Sequence, residues 1–546
     1  STSSILANSY YLLERTASNT TDLVEDRIYT GALSNNGEKL ELRDASNTLI
    51  DLVDFSTGWP AGTSSPNYIS MERISATSSA TSTNWANNNL LTRNGLDASG
   101  NKINGTPKAQ NSVSATSTNI SSLPFAEFPE ITLTYLGSPY IVNSLTIPEA
   151  KTLRIEPRVE IKFKRQDYWV GLDNLIVRGT LIARGEVGKE IIFTSFLISE
   201  GWNRIYFAPS SQGSILDYVQ MRYGGIKQSD SYLIIVDSTR IVLKNSILDN
   251  VNGAGIKLIN SSSTIENLTI QNIASNEAIN ITGGSPTIKN SFFKNTYAGM
   301  FLRGGTTALI ESNTFEGINY LQSPISVLDS YPIFKNNIAI NNALNGIYLL
   351  GTISQNWTMT KDLPYLINNL KVAENVILTV EPGVIIKFSI YGRLEIYGTL
   401  NASSSLEKIV FTSFYDDEYG GDTNNDGTST SPYSSGYWDR IYFSPLGHNS
   451  SLKNVIIANG GVTPGWVDVL GEIVVSGTKV EFENLLMKNS STYGLFIENS
   501  PETIIANSHF KNVPTAIKII GGCPQLSGLT FELYSSTILP AVCSPP

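Results

Sequence analysis

Short runs of alternating apolar and polar residues follow one another along the chain, and Asn, Asp or Gly closes most of them. Residues 39–42 and 49–53 are two such runs, and turn-forming residues occupy positions 44–47 between them. Alternation with a period of two puts apolar side chains on one face of a β-strand. The pattern therefore predicts an all-β protein that begins with a small module of short strands.

A short repeat sets the pattern from residue 244 onward. Asn-containing triplets recur about every 22 to 24 residues, and alternating apolar residues follow each triplet. A period of about 20 to 25 residues with one marked turn is typical of a parallel β-helix, whereas helical solenoids need about 33 residues or more. Asn side chains at equivalent turns can stack along the helix axis. The predicted turn residues are Asn245, Asn267, Asn290 and Asn336.

A second, longer repeat divides the chain into two copies of one module. The sequence LRIEPRVEIKF at 153–163 reappears as LTVEPGVIIKF at 378–388, and WNRIYF in the first copy becomes WDRIYF in the second. The second copy starts with its own opening coil, so we expect two β-helices end to end, over residues 131–352 and 353–546. Only the second copy carries an insertion, at residues 415–437.

These motifs resemble the right-handed parallel β-helix modules of the pectate-lyase-like superfold, as found in large microbial surface proteins. The resemblance covers the chain from residue 131 to its end. It implies a right-handed coil. It says little about chemistry, because the same fold hosts lyases, hydrolases, adhesins and passive scaffolds.

The first 112 residues carry different motifs. SYYLLERT at 9–16, SMER at 70–73 and INGTPKAQNS at 103–112 resemble the bacterial extracellular form of the lamin-tail domain, an immunoglobulin-like β-sandwich. That family normally opens with further strands, and this chain starts after them. The resemblance implies an incomplete sandwich over residues 1–112, whose missing strands belong either to a longer gene product or to another subunit. Residues 113–130 are rich in Ser and Thr and are predicted to be a linker.

Composition and charge limit the kinds of partner that the protein can bind and the cellular compartments in which it can work. Charged residues make up only 16% of the chain, the formal net charge is −10 and no basic run occurs, so we predict no nucleic-acid partner. No stretch of about 18 apolar residues is present, so we predict no membrane-spanning segment. The two cysteines, Cys523 and Cys543, either form a disulfide in an oxidising compartment or are unpaired buried thiols.

The sharpest candidate site is the sequence DDEYGGDTNNDG in the insertion. Asp422, Asn424 and Asp426 alternate and a Gly follows, a spacing that lets a tight loop turn several oxygens toward one Ca²⁺. The Glu that an EF-hand places at its twelfth loop position is missing, and the acidic residues at 416–418 could complete the ligand set. We expect a structural calcium; a solvated acidic loop is the alternative. The predicted ligands are Asp416, Asp417, Asp422, Asn424 and Asp426.

The sequence contains no nucleophile elbow, Walker loop or pair of zinc ligands. An enzyme of this superfold would need carboxylates opposed across a groove, or a carboxylate cluster beside an Arg or Lys base. Carboxylates at comparable positions of successive coils match no family motif, so we predict no catalytic residue. These carboxylates are Asp217, Asp237, Asp249, Glu266, Asp439, Asp468, Glu481 and Glu483.

The expected function is structural. Stacked coils suit a rigid spacer or a lattice subunit, and we expect an extracellular or cell-surface protein that assembles with copies of itself into a surface layer or filament. The alternative is a glycan-binding adhesin, or a polysaccharide lyase or hydrolase that uses a groove along one β-helix. Surface glycans would then be the partners.

Overall fold

Almost all regular structure in the protein is β-strand, which confirms the predicted all-β class. The computed structural model describes residues 4–165, 173–226, 231–318, 323–427, 437–462, 471–532 and 536–539. Within these ranges, the helical segments are three 3₁₀ turns at Ser82–Asn84, Ser112–Ser114 and Tyr135–Gly137. None of the described helices is long and apolar enough to cross a bilayer.

The strands of the N-terminal part are β1 (Leu13–Arg15), β2 (Arg27–Tyr29), β3 (Lys39–Arg43), β4 (Leu49–Asp54), β5 (Met71–Arg73) and β6 (Trp85–Asn87). They are followed by β7 (Thr118–Ile120), β8 (Glu130–Leu133), β9 (Tyr140–Val142), β10 (Leu145–Ile147), β11 (Thr152–Ile155), β12 (Glu160–Phe163), β13 (Leu175–Val177), β14 (Thr180–Arg184), β15 (Ile191–Ser195), β16 (Ile205–Phe207), β17 (Ser214–Asp217) and β18 (Val219–Arg222).

The next strands are β19 (Tyr232–Asp237), β20 (Ile241–Lys244), β21 (Ile247–Val251), β22 (Ala254–Ile259), β23 (Thr264–Glu266), β24 (Thr269–Ile273), β25 (Glu277–Thr282), β26 (Thr287–Lys289), β27 (Phe292–Lys294), β28 (Ala298–Arg303), β29 (Leu309–Glu311), β30 (Thr314–Glu316), β31 (Ile325–Leu328), β32 (Ile333–Lys335), β33 (Ile338–Ile340), β34 (Ile347–Leu350) and β35 (Thr352–Ile353).

The last strands are β36 (Trp357–Met359), β37 (Tyr365–Val372), β38 (Ile377–Val380), β39 (Ile385–Ile396), β40 (Thr399–Ser403), β41 (Ile409–Ser413), β42 (Arg440–Phe443), β43 (Ser450–Lys453), β44 (Val455–Ala458), β45 (Ile473–Ser476), β46 (Val480–Glu483), β47 (Leu486–Lys488), β48 (Tyr493–Glu498), β49 (Ile504–Ala506), β50 (His509–Lys511), β51 (Thr515–Ile520), β52 (Gln525–Ser527), β53 (Thr530–Glu532) and β54 (Ser536–Leu539).

The chain divides into two compact units, Ser1–Trp202 with Ser214–Met221, and Asn203–Gly213 with Arg222–Pro546. The first unit begins with three strand pairs: β1 and β2 are parallel, while β3–β4 and β5–β6 are antiparallel. Glu72 on β5 is 3% exposed, and its carboxylate accepts hydrogen bonds from Asn88, Thr106 and Ser112. A carboxylate this buried needs hydrogen-bonded oxygens. The SMER and INGTPKAQNS motifs therefore meet around one buried acid.

The stretch 113–130 is not the linker that its composition predicts. β7 pairs in parallel with β9, and Phe125 and Phe128 are buried. The prediction was wrong because a few isolated apolar residues, too widely spaced to show a strand period, are enough to bury this segment. The parallel coils therefore begin at β7, earlier than the predicted boundary at residue 131.

In the first unit, parallel rows of strands stack coil upon coil. One row has the order β8-β11-β14-β17, and a second has the order β7-β9-β12-β15-β18. Leu133, Ile155, Ala183 and Leu216 lie opposite one another in the first row, and each is at most 2% exposed. This buried column is the interior that period-two alternation predicts.

The second unit contains what we call the middle stack, formed by β16 and β19–β34. Its three rows are β16-β19-β22-β25-β28-β31-β34, β20-β23-β26-β29-β32 and β21-β24-β27-β30-β33. Leu243, Ile265, Ile288, Ile310 and Phe334 form one inward column of the second row, each at most 1% exposed. Each coil thus buries its apolar residues against equivalent residues of its neighbours.

The terminal stack consists of β36–β54. Two long strands, β37 and β39, join it to the middle stack. The first part of β37 pairs with β34, and the later part pairs with β35. β37 and β39 each belong to two rows at once, which then separate into β41-β44-β47-β50-β53 and β42-β45-β48-β51-β54. The rows that end at β32 and β33 stop here, and β36 opens a new row. The predicted tandem of parallel β-helical coils is therefore confirmed.

The predicted turn asparagines lie between the second and third rows of the middle stack. Asn245, Asn267, Asn290 and Asn336 all have positive φ, between 49° and 55°. Among non-glycine residues, Asn is one of the few that accept this left-handed conformation readily. The Asn267 side-chain amide donates to the Asn245 side-chain oxygen over 3.0 Å, which links successive coils.

Candidate metal site

The insertion of the terminal stack covers an apolar outer face. It follows β41, and its described part is residues 415–427 with residue 437. Tyr419 packs against a cluster formed by Ile385, Val410, Ile456 and Leu486, which occupy matching positions on four successive strands. The carboxylate of Glu418 is 2.6 Å from the ammonium of Lys488. The loop is therefore seated on the stack by an apolar contact and an ion pair.

Asp416, a predicted ligand, belongs to the support of the loop. It is 1% exposed, and its carboxylate accepts hydrogen bonds from the Thr412 hydroxyl, the Asn459 amide and the Glu418 backbone N–H. Asp416 is not among the three aspartates that converge on one point, so its role as a metal ligand stays a prediction. Its hydrogen bonds fix the start of the loop.

The other acidic residues converge. One carboxylate oxygen from each of Asp417, Asp422 and Asp426 lies within 4.8 Å of the other two. Two oxygens bound to one Ca²⁺ at about 2.4 Å can be at most about 4.8 Å apart, so the three can share one ion. The backbone N–H groups of Asp426 and Gly427 donate to the two oxygens of Asp422, at 3.1 and 3.0 Å.

Several oxygens in this cluster have no protein partner. Both carboxylate oxygens of Asp417 and the side-chain oxygen of Asn424 are shielded from solvent without a hydrogen bond. The amide nitrogen of Asn424 donates to the Asp426 carboxylate over 2.6 Å, so the amide oxygen of Asn424 is the atom that is left to bind a cation. Buried oxygens normally have a hydrogen-bond or metal partner. The donor set, all hard oxygens with three negative charges, fits a calcium ion.

The pKa of Asp417 and the repulsion among the three aspartates also favour a bound cation. Burial, together with the neighbouring carboxylates of Asp422 and Asp426, raises the pKa of Asp417. Lys387 is fully buried, and its ammonium donates to the backbone carbonyls of Asp416 and Gly421 at 2.9 and 2.8 Å. Burial lowers the pKa of Lys387 to about 8, although the surrounding aspartates act in the opposite direction. A divalent cation at the cluster would relieve the repulsion among the aspartates.

Sequence reasoning missed three residues that support the loop: Lys387, Asn345 and Asn459. Lys387 belongs to the repeated IKF motif, where the first copy has Lys162. Lys162 is partly exposed and lies 3.4 Å from Glu160. The sequence did carry one signal for Lys387: the two copies share this lysine, but only the second copy has an insertion after it. Asn345 and Asn459 gave no sequence signal, since they lie far along the chain from the residues they contact.

Three of the carboxylates that could have served an enzyme have separate partners and lie on different rows. Asp237 accepts from the Tyr206 hydroxyl, Asp249 accepts from the Asn272 amide, and Glu266 pairs with Lys289. These three acids lie on β19, β21 and β23, which belong to three rows. The remaining acids are Asp217 at the end of β17, Asp439 at 2.7 Å from Arg440, Glu481 and Glu483 near Lys453, and Asp468 outside the described residues.

Only one cysteine of the predicted disulfide lies within the described residues. Cys523 is exposed in the turn before β52, and Cys543 lies outside the described residues. The disulfide therefore stays a prediction.

Comparison with known proteins supports the fold. Residues 232–362 match the family model described as the right handed beta helix region. This match covers most of the middle stack and the beginning of the terminal stack, and it agrees with parallel rows stacked coil upon coil. No curated protein matches the chain. The fold is thus that of β-helix proteins, a group that includes surface and structural proteins as well as enzymes.

Proposed function

We propose that this chain is a non-catalytic structural protein of the cell exterior, a surface-layer or filament subunit that assembles with copies of itself. The observation that carries the proposal is the use of the outer carboxylates. Along the second row of the middle stack, Lys and Glu alternate from coil to coil, and the row includes ion pairs of 3.2 and 2.9 Å. The carboxylates of this row thus face lysines of the neighbouring coils, which supports the non-catalytic assignment.

The proposal includes a structural calcium in the insertion. The three converging aspartates and the unpartnered oxygens of Asp417 and Asn424 support it. When bound, the ion would be held by Asp417, Asp422 and Asp426 with the oxygen of Asn424. It would supply folding free energy in addition to the apolar contact of Tyr419, which is small for so polar a loop.

Exposed apolar residues in the N-terminal part support self-assembly. Large apolar side chains on its strands are exposed to solvent. They include Leu13, Ile28, Leu40, Leu42, Leu49 and Ile50, each at least 39% exposed. Short strands with exposed apolar faces and unpaired edges favour pairing with another chain. The lamin-tail resemblance of this part remains a proposal, which the meeting of its motifs around Glu72 supports.

A polysaccharide panel tests the non-catalytic assignment. The chain would be incubated with soluble acidic and neutral polysaccharides, with and without calcium, while binding and new chain ends are measured. We expect neither binding nor cleavage. Cleavage that disappears in Asp439→Asn, while thermal unfolding stays unchanged, would contradict the proposal and establish the enzymatic alternative.

A further inference from the structure

The last coil of the middle stack has two open edges. Its strands β32 and β33 end their rows, and within the described part of the chain no following strand supplies backbone partners for them. A parallel strand at the end of a row exposes N–H and C=O groups that need other partners. The structure therefore has to close these edges by other means.

Side chains close the edges at three places. The Thr360 hydroxyl accepts from the Phe334 N–H and donates to the Phe334 carbonyl, at 3.2 and 2.7 Å. The Asp362 carboxylate accepts from the backbone and side-chain N–H groups of Asn337, at 3.2 and 3.0 Å. Thr360 and Asp362 both lie between β36 and β37, in the opening coil of the terminal stack.

The third closure runs through Asn345 and differs from the others. The Asn345 side-chain oxygen accepts from the backbone N–H and side-chain amide of Asn342, at 3.2 and 3.1 Å. Asn342 in turn reaches the preceding coil, where it accepts from the Ile318 N–H at 2.9 Å and donates to the Phe315 carbonyl at 3.1 Å. Asn342 is 1% exposed, so this relay is internal.

The acidic insertion holds Asn345 in place. The Asn345 backbone N–H donates to the Thr423 carbonyl over 2.7 Å, and its side-chain amide donates to the Asp422 carbonyl over 3.0 Å. Thr423 is fully buried, and Asp422 is one of the three converging aspartates. Residues 77 positions apart in sequence thus meet at the end of the middle stack.

We infer that the insertion is a clasp that closes the end of the middle stack through Asn345, so that order in the acidic loop and order in the last middle-stack coil rise and fall together. The backbone of Asp422 and Thr423 can face Asn345 only while the loop keeps its fold. The effect of calcium on the clasp rests on the proposed function, whereas the clasp contacts themselves do not require the ion.

Hydrogen exchange of backbone amides, measured on the full chain, tests the clasp. In Asn345→Ala, we expect the Ile318 and Asn342 amides to exchange at least tenfold faster than in the unsubstituted chain, because both depend on the relay. Asn345→Asp retains the acceptor for Asn342 but removes the donor to Asp422. It should therefore loosen residues 422–427 more than Ile318.

The control is Asn356→Ala. The side-chain oxygen of Asn356 also accepts from a backbone N–H, that of Ile377 at 2.8 Å. Among the described residues, no hydrogen bond joins Asn356 to the insertion. We expect faster exchange only near Ile377. Equal exchange of the Ile318 amide in Asn345→Ala and in the unsubstituted chain would overturn the clasp.

A calcium chelator separates this inference from the proposed function. If chelation and Asn345→Ala both speed exchange of Ile318 and Asn342, the ion and the clasp act together. If Asn345→Ala does so and chelation changes nothing, the clasp stands and the calcium proposal fails. If chelation loosens residues 417–427 but leaves Ile318 and Asn342 protected, calcium stands and the clasp fails.

Discussion

Glu472 shows how one residue can set the pH response of the terminal stack. It is fully buried just before β45, and burial raises the pKa of its carboxyl group to about 8. Neither carboxylate oxygen has a hydrogen-bond partner among the described residues. The middle stack has a buried Leu233 at the matching place, since Ile234 and Ile473 follow the two residues in the same register. An acid here favours the fold only while it keeps its proton.

The stability of the terminal stack should therefore fall as the pH rises. Below the ordinary Glu pKa, the folded and unfolded chains are both protonated and the full stability is present. As the pH rises toward about 8, the unfolded chain loses the proton that the folded chain retains, and the free energy of unfolding decreases by a few kcal/mol. Urea unfolding between pH 5 and 9 measures this slope.

Glu472→Leu should flatten that slope and stabilise the protein at pH 8, since it installs the residue that the middle stack uses. Glu481→Gln, a change of a partly exposed and ion-paired acid on the same stack, is the matched control and should leave the slope intact. A slope that persists in Glu472→Leu would assign the pH dependence to another group.

At the scale of the elements, the asparagine turns join one coil to the next. Asn267→Ala should lower the free energy of unfolding by about 1–2 kcal/mol, because Ala is strained at positive φ and cannot donate to Asn245. Asn267→Gly should cost less, since Gly accepts this backbone conformation. Denaturant unfolding compares the two variants.

Ser312 provides the reverse test. It occupies the equivalent turn at φ 55°, between the turns of Asn290 and Asn336. Ser312→Asn should therefore stabilise the middle stack by a few tenths of a kcal/mol, because Asn suits the left-handed turn better than Ser. A clear loss of stability in Ser312→Asn would contradict the claim that Asn stabilises this left-handed turn better than Ser does.

The acidic loop is the element whose stability should depend on calcium. Saturating calcium should raise the melting temperature of the terminal stack by about 2–4 °C, through binding that favours the folded loop. The double variant Asp422→Asn with Asp426→Asn should lose this shift, because it removes two of the three converging carboxylates. Calorimetry with calcium and with a chelator measures the effect.

Asp249→Asn is the control for the loop, since this carboxylate lies on the middle stack and accepts from Asn272. It should keep the full calcium shift. An identical shift in the control and in the double variant would show that any calcium effect arises elsewhere.

The sequence predicts those features that depend on contacts between residues one coil apart, and it does not predict those that depend on contacts between distant segments. The coils and the Asn turns follow from local periodicity, because each residue packs against its counterpart one coil away. The role of Asp416 and the support from Lys387 and Asn345 could not be predicted in this way. They depend on contacts between distant parts of the chain, such as the hydrogen bond from Asn459 to Asp416, 43 residues apart in sequence.

At the scale of the whole molecule, stacked rows explain why a chain with few charges can be rigid. Each coil is stabilised mainly by its neighbours, so stability adds along a stack and weak points concentrate at its ends. The ends are where this chain places special contacts, such as Thr360, Asp362 and Asn345 at the last middle-stack coil. In the proposed function, the exposed apolar strands of the N-terminal part form the surface with which a copy of the chain would pair.

Electron microscopy of the purified protein, with calcium and with a chelator, tests the proposed structural role most directly. We predict ordered sheets or filaments in calcium that disperse on chelation, because the proposed assembly needs an ordered loop as well as paired surfaces. Dispersed monomers under both conditions would contradict it and would favour the glycan-binding or enzymatic alternative.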